Sequence, residues 1–160
     1  MTSDMAAVLL RELEGFEREI GLFPDDESVW ATVPGISNSA GNLALHVAGN
    51  IQHFIGAVFG GIGYVRDRRA EFERCAGSRG EIAAEIAAAA AVVRDVLPRL
   101  TAGQLAGAIE TGHGHPVPAR LFLLHLCTHA AYHLGQAGYL RRVVTGDVRS
   151  TETVSAARLS

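Results

Sequence analysis

The feature that most constrains the fold is the helical spacing of apolar residues in four separate segments. In the first segment, apolar side chains recur every three or four residues, at Leu9, Leu13, Phe16 and Ile20, which is typical of an amphipathic helix. The spacing predicts helices over roughly residues 4–20, 40–59, 79–97 and 118–144. Because each helix must bury its apolar face against its neighbours, the sequence predicts an all-α fold, an antiparallel four-helix bundle.

The second predicted helix runs from about Ala40 to Phe59. Its apolar stripe consists of Leu43, Val47, Ile51, Phe54 and Val58. Ser39 or Asn38 can cap its first turn, and a glycine-rich stretch follows its last turn. We therefore expect one helix over this range.

The third and fourth predicted helices have clear boundary signals. Ser78, followed three residues later by Glu81, forms a capping box, and the third helix continues to Pro98. Pro118 suits the first turn of the fourth helix, which ends before Gly146. The fourth helix is predicted to be the longest.

The segments between the early helices are predicted to be irregular. Prolines interrupt any regular helix in residues 22–38. We expect this loop to wrap the bundle, with Val29 and Trp30 as its apolar anchor. Residues 64–80 are polar and mixed in charge. We interpret them as a surface connection, with a possible helical turn, that serves solubility.

Later in the chain, residues 101–118 carry three glycines before a His-Gly-His motif and two prolines after it. This pattern predicts a loop near the site, in which residues 105–111 can form a short strand. The tail, residues 147–160, is either a short docked helix or a frayed end. With 160 residues, the chain has the usual size of one domain, which we expect to span residues 1–160.

Charge and composition exclude several functions. The formal net charge is −3 and the arginines are scattered, so we expect no nucleic-acid partner. All basic residues are arginines, which excludes a Schiff-base or general-base lysine. Cys75 and Cys127 lack CxxC spacing, so we interpret them as small apolar fillers rather than as a disulfide or zinc site. Without signal-peptide features or an apolar run of membrane length, the sequence predicts a cytoplasmic protein with no membrane partner.

Histidines on two predicted helices form the strongest candidate site. His125, His129 and His133 lie four residues apart on the fourth helix and form one slanted stripe. Side chains in an i, i+4 pair sit about 5–6 Å apart and can direct two imidazole nitrogens at one point; we favour His129 and His133. A third ligand should come from a facing helix, where His46 lies in the apolar stripe. The alternative is a set of hydrogen-bonded core histidines, although one metal would satisfy three buried rings at once.

Other polar residues are open to either a functional or a structural interpretation. Asn50 and His53 can line a pocket above the metal or pack as polar bundle residues. His125 can support a ligand or be a packed or surface histidine. His113 and His115 can bind metal or gate the site, or belong to a solvated loop.

The segment HLCTHAAYHLGQAGYLRR resembles the C-terminal HxxxHxGQ helix of the DinB-like superfamily of four-helix-bundle metalloproteins, and NLALHVAGN supplies the expected upstream histidine. The resemblance implies that His46, His129 and His133 bind a divalent ion, zinc first and nickel next, with open positions as in catalytic zinc sites. It also implies that Gln136 orients the metal shell or the helix end; a core amide is the alternative. Leu134 replaces an arginine found in many relatives, which puts in doubt any function that depends on that charge.

The resemblance also implies a class of reaction. Relatives include thiol-dependent S-transferases and maleylpyruvate isomerases, in which the metal stabilises a thiolate, so a small-molecule thiol and an electrophile are the expected partners. A non-catalytic metal-binding or stress-response module is the alternative. Metal-dependent hydrolysis is a third hypothesis, with Glu110 as the one candidate base near the loop. The resemblance further suggests a homodimer.

Overall fold

The structure, a computed structural model, describes residues 1–112, 114–153 and 155–159. Within these residues the α-helices are α1 (Thr2–Gly21), α2 (Ala40–Ile51), α3 (Arg68–Glu73), α4 (Arg79–Val96), α5 (Ala102–Ala106) and α6 (Ala119–Thr145). Two short antiparallel strands, β1 (Ala108–Ile109) and β2 (Val117–Pro118), pair Ala108 with Pro118. Short 3-10 turns cover Ser28–Trp30, Leu97–Arg99 and Ala156–Leu159.

The four long helices form the body of the molecule. α1 packs against α4 and α6, and α2 packs against the same two helices. Their inward faces form one apolar cluster, to which Leu13, Ile51, Ile82 and Leu123 each contribute a fully buried side chain. Burial of each such side chain stabilises the fold by about 1.5–3 kcal/mol. The predicted all-α four-helix bundle is confirmed, and the α2–α6 contact is the one that positions the histidines.

The predicted capping residues begin two of these helices. The Ser39 hydroxyl accepts a hydrogen bond from the backbone N–H of Asn42, and the Asn42 side-chain oxygen accepts one from the backbone N–H of Ser39. Ser78 and Glu81 form the same reciprocal pair at the start of α4. Of the two residues that the sequence left open for α2, Ser39 is therefore the cap.

The loop before α2 is anchored as predicted. Val29 and Trp30 are buried, and Trp30 Nε1 donates a hydrogen bond of 2.7 Å to the backbone oxygen of Gly77. A Cβ atom on Gly41 would lie 2.9 Å from the indole ring. A glycine is therefore needed where α2 passes the tryptophan.

The second predicted helix changes its winding partway along. α2 ends at Ile51, and the chain continues as a π-helical segment, Gln52–Phe59. At its end, the backbone N–H of Gly60 donates a 3.0 Å hydrogen bond to the backbone oxygen of Ile55, five residues earlier. The wider turn rotates the later side chains relative to a regular α-helix. Val58 is consequently 44% exposed, whereas Phe59 is buried. The prediction that Val58 belongs to the apolar stripe is wrong for this reason.

The possible helical turn in residues 64–80 is present, but the segment does more than serve solubility. This segment contains α3, whose first turn is capped by the Asp67 side chain through a hydrogen bond of 2.9 Å from Ala70 N–H. α3 packs against α2, and its Glu71 is only 7% exposed. The segment therefore covers one side of the bundle instead of serving only as a polar connection.

Residues 101–118 are only partly irregular. Thr101 caps α5, and the predicted strand over residues 105–111 narrows to β1, which pairs with β2. His115 is exposed, and His113 lies outside the described residues. The tail ends in a short docked turn, where Arg158 lies 3.6 Å from the Glu14 carboxylate.

None of the helices in the described part of the chain combines the length and the apolar character needed to cross a lipid bilayer.

Candidate metal centre

Three histidines from two helices meet where α2 packs on α6. His46 on α2 is 6% exposed, and His129 and His133 lie one turn apart on α6. His129 Nε2 lies 3.3 Å from His46 Nε2 and 3.1 Å from His133 Nε2. One ring nitrogen from each residue lies within 4.8 Å of the other two. The grouping predicted from the sequence is therefore present, and such a cluster can hold a metal ion.

The opposite ring nitrogens determine which atoms face the centre. His46 Nδ1 lies 2.9 Å from Glu71 Oε2, and His133 Nδ1 lies 2.7 Å from Gln136 Oε1. A carboxylate or amide oxygen can only accept, which assigns the donated proton of each ring to Nδ1. With their Nδ1 protons engaged, both neutral rings direct Nε2 lone pairs towards His129. A single N–H on His129 can bond to only one of them, whereas one cation would satisfy all three nitrogens. The donor set therefore fits a divalent metal.

Glu71 is held in place by Arg66. Arg66 Nε lies 2.6 Å from Glu71 Oε1, and Arg66 Nη2 lies 2.8 Å from Glu71 Oε2, the two-pronged geometry that makes such pairs strong. Burial raises the pKa of Glu71, but hydrogen bonds from His46 and Arg66 together outweigh it and lower that pKa below its ordinary value. An ionised Glu71 keeps the proton of His46 on Nδ1. Neither Arg66 nor Glu71 was predicted from the sequence as part of the site.

Burial keeps the cluster neutral. Removal of the ring from water, reinforced by the charges that His133 and His46 would carry when protonated, lowers the pKa of His129 to about 3. Burial also lowers the pKa of His133, against the hydrogen bond to Gln136, which raises it. Neutral imidazole is the form that binds metal. At neutral pH, protons therefore compete little for these two rings.

The lowered pKa of His129 predicts how the metal-free protein responds to acid. An unfolded histidine titrates near pH 6.5, whereas the folded His129 ring stays neutral down to about pH 3. Between these values only the unfolded chain binds the proton, so the free energy of unfolding falls as the pH is lowered from about 6.5. One proton accounts for at most about 1.4 kcal/mol per pH unit, and the partial exposure of His129 makes the expected slope smaller.

Urea unfolding of the metal-free chain at pH 7 and pH 5 measures this loss. The His129→Gln variant should lose less stability between the two pH values than the wild-type chain, because the substituted side chain does not titrate. An equal loss in both proteins would contradict the assignment of a buried, neutral His129.

Gly49 leaves the space that the Glu71 carboxylate occupies. A Cβ atom on Gly49 would lie 2.3 Å from Glu71 Oε1 and 3.3 Å from the Tyr64 hydroxyl. Gly49→Ala should therefore displace the carboxylate from His46 and lower zinc affinity by roughly tenfold or more, as loss of an outer hydrogen-bond partner does. Calorimetric zinc titration measures the change. Gly21→Ala is the matched control, since nothing lies within 4 Å of a Cβ there; equal affinities of the two variants would contradict a supporting role for Glu71.

A cavity of about 400 Å³ adjoins the cluster. Its lining includes His46 and His129, together with Asn50, His53 and His125. Asn50 Oδ1 and His53 Nδ1 are buried and have no hydrogen-bond partner among the described residues. His125 is exposed, with its ring centroid 5.6 Å from that of His129. Asn50 and His53 thus lie in the wall of a cavity beside the cluster.

The other residues discussed from the sequence lie outside the histidine cluster. Glu110 is exposed and is not among the described residues that line the cavity. Leu134 is buried against α1, where a Cβ on Gly15 would lie 2.6 Å from its Cδ2, so this position faces the core. Cys127 is buried, and burial raises its thiol pKa to about 11. Cys75 is exposed; its interpretation as an apolar filler is wrong because it follows α3 on the surface.

Comparison with known proteins identifies the family. The sequence profile of the DinB superfamily matches residues 6–137, a range that contains all three clustered histidines. The chain therefore belongs to the DinB superfamily. A crystal structure of a conserved protein from Enterococcus faecalis is similar to this one with a TM-score of 0.73 and 20% sequence identity, over 89% of this chain and 96% of that chain, which supports the fold. No curated protein matches the sequence.

Proposed function

We propose that this member of the DinB superfamily binds one divalent metal ion on His46, His129 and His133 and activates a low-molecular-weight thiol for transfer to an electrophile. The observation that carries the proposal is the convergence of three Nε2 atoms, two of which belong to rings oriented through their Nδ1 atoms. Zinc is the proposed ion and nickel the next, because neutral imidazole suits both.

The thiol has to be a separate molecule. When bound, a divalent ion held only by neutral ligands keeps its full charge and favours deprotonation of a thiol beside it. The chain's own cysteines do not compete: burial raises the pKa of Cys127 to about 11, and neither Cys127 nor Cys75 is among the described residues that line the cavity. A diffusible thiol entering the cavity is therefore the proposed nucleophile.

The surrounding side chains have distinct proposed roles. Glu71, held by Arg66, orients His46, and Gln136 orients His133 through their hydrogen bonds. Asn50, in the cavity wall, contacts the bound molecule. Among the described lining residues there is no carboxylate to act as the general base of a hydrolase, so thiol transfer is favoured over metal-dependent hydrolysis.

Two broader features accompany the proposal. The reaction needs a reduced thiol, which fits a cytoplasmic location. We also infer a homodimer. Tyr132, Tyr139 and Val143 leave an apolar stripe on α6 with side chains 65%, 72% and 65% exposed, and subunit contacts commonly cover surfaces of this kind.

Thiol consumption tests the proposed function. Zinc- or nickel-loaded protein should accelerate the loss of free thiol in the presence of 1-chloro-2,4-dinitrobenzene, measured by thiol titration, and His129→Ala should reduce the rate to background. His115→Ala is the control, because this exposed histidine lies outside the three-histidine cluster and is not among the described residues that line the cavity, so the variant should retain the rate. A folded, metal-loaded wild-type chain that consumes no thiol with any of several electrophiles would instead support a non-catalytic metal-binding module.

A further inference from the structure

The cavity beside the histidine cluster has a positively charged wall that the proposed metal site does not use. Two arginines, Arg66 and Arg68, line it, and the described lining residues include neither aspartate nor glutamate. Arg66 is committed to the Glu71 carboxylate. Arg68, in contrast, makes no ion pair or hydrogen bond with any described residue, and its side chain is exposed. Among the described lining residues, Arg68 therefore presents the one free guanidinium group.

Arg68 is positioned close to the cluster by an aromatic ring. Its guanidinium carbon lies 5.0 Å from the centroid of the Phe72 ring, and the Phe72 ring lies 4.7 Å from that of His46. A guanidinium stacked on an aromatic face keeps the N–H groups along its edge free. Those groups match the two oxygens of a carboxylate. The neighbouring Arg69 is different, since it pairs with Glu73 at 2.7 Å and is not among the cavity-lining residues.

The rest of the wall suits a small polar molecule with a short carbon skeleton. Phe54 and Phe122 provide apolar surface, and Asn50 and His53 provide polar groups. Asn50 Oδ1 and His53 Nδ1 have no hydrogen-bond partner among the described residues, so a bound molecule can supply one. A volume of about 400 Å³ falls at the small end of the range for ligand sites, about 300–1,000 Å³.

We propose that this cavity binds a small carboxylate-bearing molecule, with the Arg68 guanidinium as the anchor of its carboxylate. The inference rests on the proposed function in that the other end of the molecule approaches the His46, His129 and His133 cluster. It assigns a ligand class, a small organic acid, and a specificity residue. Either the thiol or the electrophile of the proposed reaction can carry the carboxylate.

Matched acid and amide ligands isolate the contribution of the carboxylate. We would titrate ¹⁵N-labelled, zinc-loaded protein with 3-mercaptopropionate and with 3-mercaptopropionamide, and follow the Arg68 Nε–H signal by NMR. The acid should bind roughly tenfold more tightly than the amide, because a charge-assisted hydrogen bond to a guanidinium is lost in the amide. Arg68→Gln should reduce this ratio to about one, whereas Arg69→Gln, which removes the adjacent exposed arginine, should leave it unchanged.

Butyrate and butyramide extend the test to ligands without sulfur. Tighter binding of 3-mercaptopropionate than of butyrate would assign carboxylate and sulfur to one molecule, the thiol. Equal binding of the two acids would assign the carboxylate to the electrophile. Butyrate and butyramide are also titrated into metal-free protein. This titration tests Arg68 as the carboxylate anchor even if the protein binds no metal. Equal affinity for acid and amide in wild type, or a preference that persists in Arg68→Gln, would overturn the proposal.

Discussion

Excess zinc is expected to raise the unfolding temperature of the wild-type chain and to leave that of His129→Ala unchanged. His129 is the central member of the cluster, since its Nε2 lies 3.3 Å from that of His46 and 3.1 Å from that of His133. Removing it leaves two nitrogens that no longer share a common neighbour. A ligand at about 100 times its Kd stabilises the folded state by roughly 2.7 kcal/mol, which corresponds to about 5–10 °C for a chain of this size.

Differential scanning calorimetry with and without zinc measures this difference. His125→Ala serves as the control, because it removes a histidine of the same helix that lies outside the three-histidine cluster. It should keep the zinc-dependent shift. A shift of wild-type size in His129→Ala would mean that zinc binds elsewhere on the chain, and the three-histidine assignment would be wrong.

The second large effect concerns stability rather than the metal. Arg141 and Glu19 form an ion pair between α6 and α1 in which the side chains are 0% and 3% exposed. Arg141 also donates hydrogen bonds to the backbone oxygens of Asp147 at 3.0 Å and Arg149 at 2.6 Å. One buried guanidinium therefore joins the first helix, the last helix and the tail that follows it.

Arg141→Met should lower the free energy of unfolding by about 3–5 kcal/mol, because it leaves the Glu19 carboxylate buried without its charged partner. Urea unfolding followed by circular dichroism measures the loss. Glu19→Leu combined with Arg141→Met should recover much of it, since neither charge of this pair then remains buried. Arg142→Met is the control: its guanidinium stacks on the exposed Tyr139, a contact worth about 0.5–1 kcal/mol. Similar losses in the two single variants would contradict the role given to the buried pair.

The bundle was predictable because nearby residues determine where each of these helices begins. Apolar spacing and capping residues such as Ser39, Ser78 and Glu81 act within a few residues of chain, and the structure places them at those helix starts. The π-helical segment Gln52–Phe59 was not predictable in this way. Its apolar spacing is compatible with a regular helix, and the change in winding that buries Phe59 appears only in the folded chain.

The histidine grouping was predictable for a similar reason. His129 and His133 are neighbours on one helix, and His46 lies on the apolar stripe of a helix that packs against it. Glu71 and Arg66 carried no such signal, because a charged residue in a polar segment normally faces solvent. Their burial depends on α3 packing against α2 and on the space that Gly49 leaves, which are tertiary effects.

The central claim is that the three histidines bind one metal ion, and the metal-to-protein ratio tests it most directly. Plasma mass spectrometry on untagged protein, incubated with zinc or nickel and then freed of unbound metal, should give about one ion per chain. His46→Ala and His129→Ala variants, confirmed as folded by circular dichroism, should give close to none. A folded wild-type chain that retains no metal, or variants that retain as much as the wild type, would contradict the account.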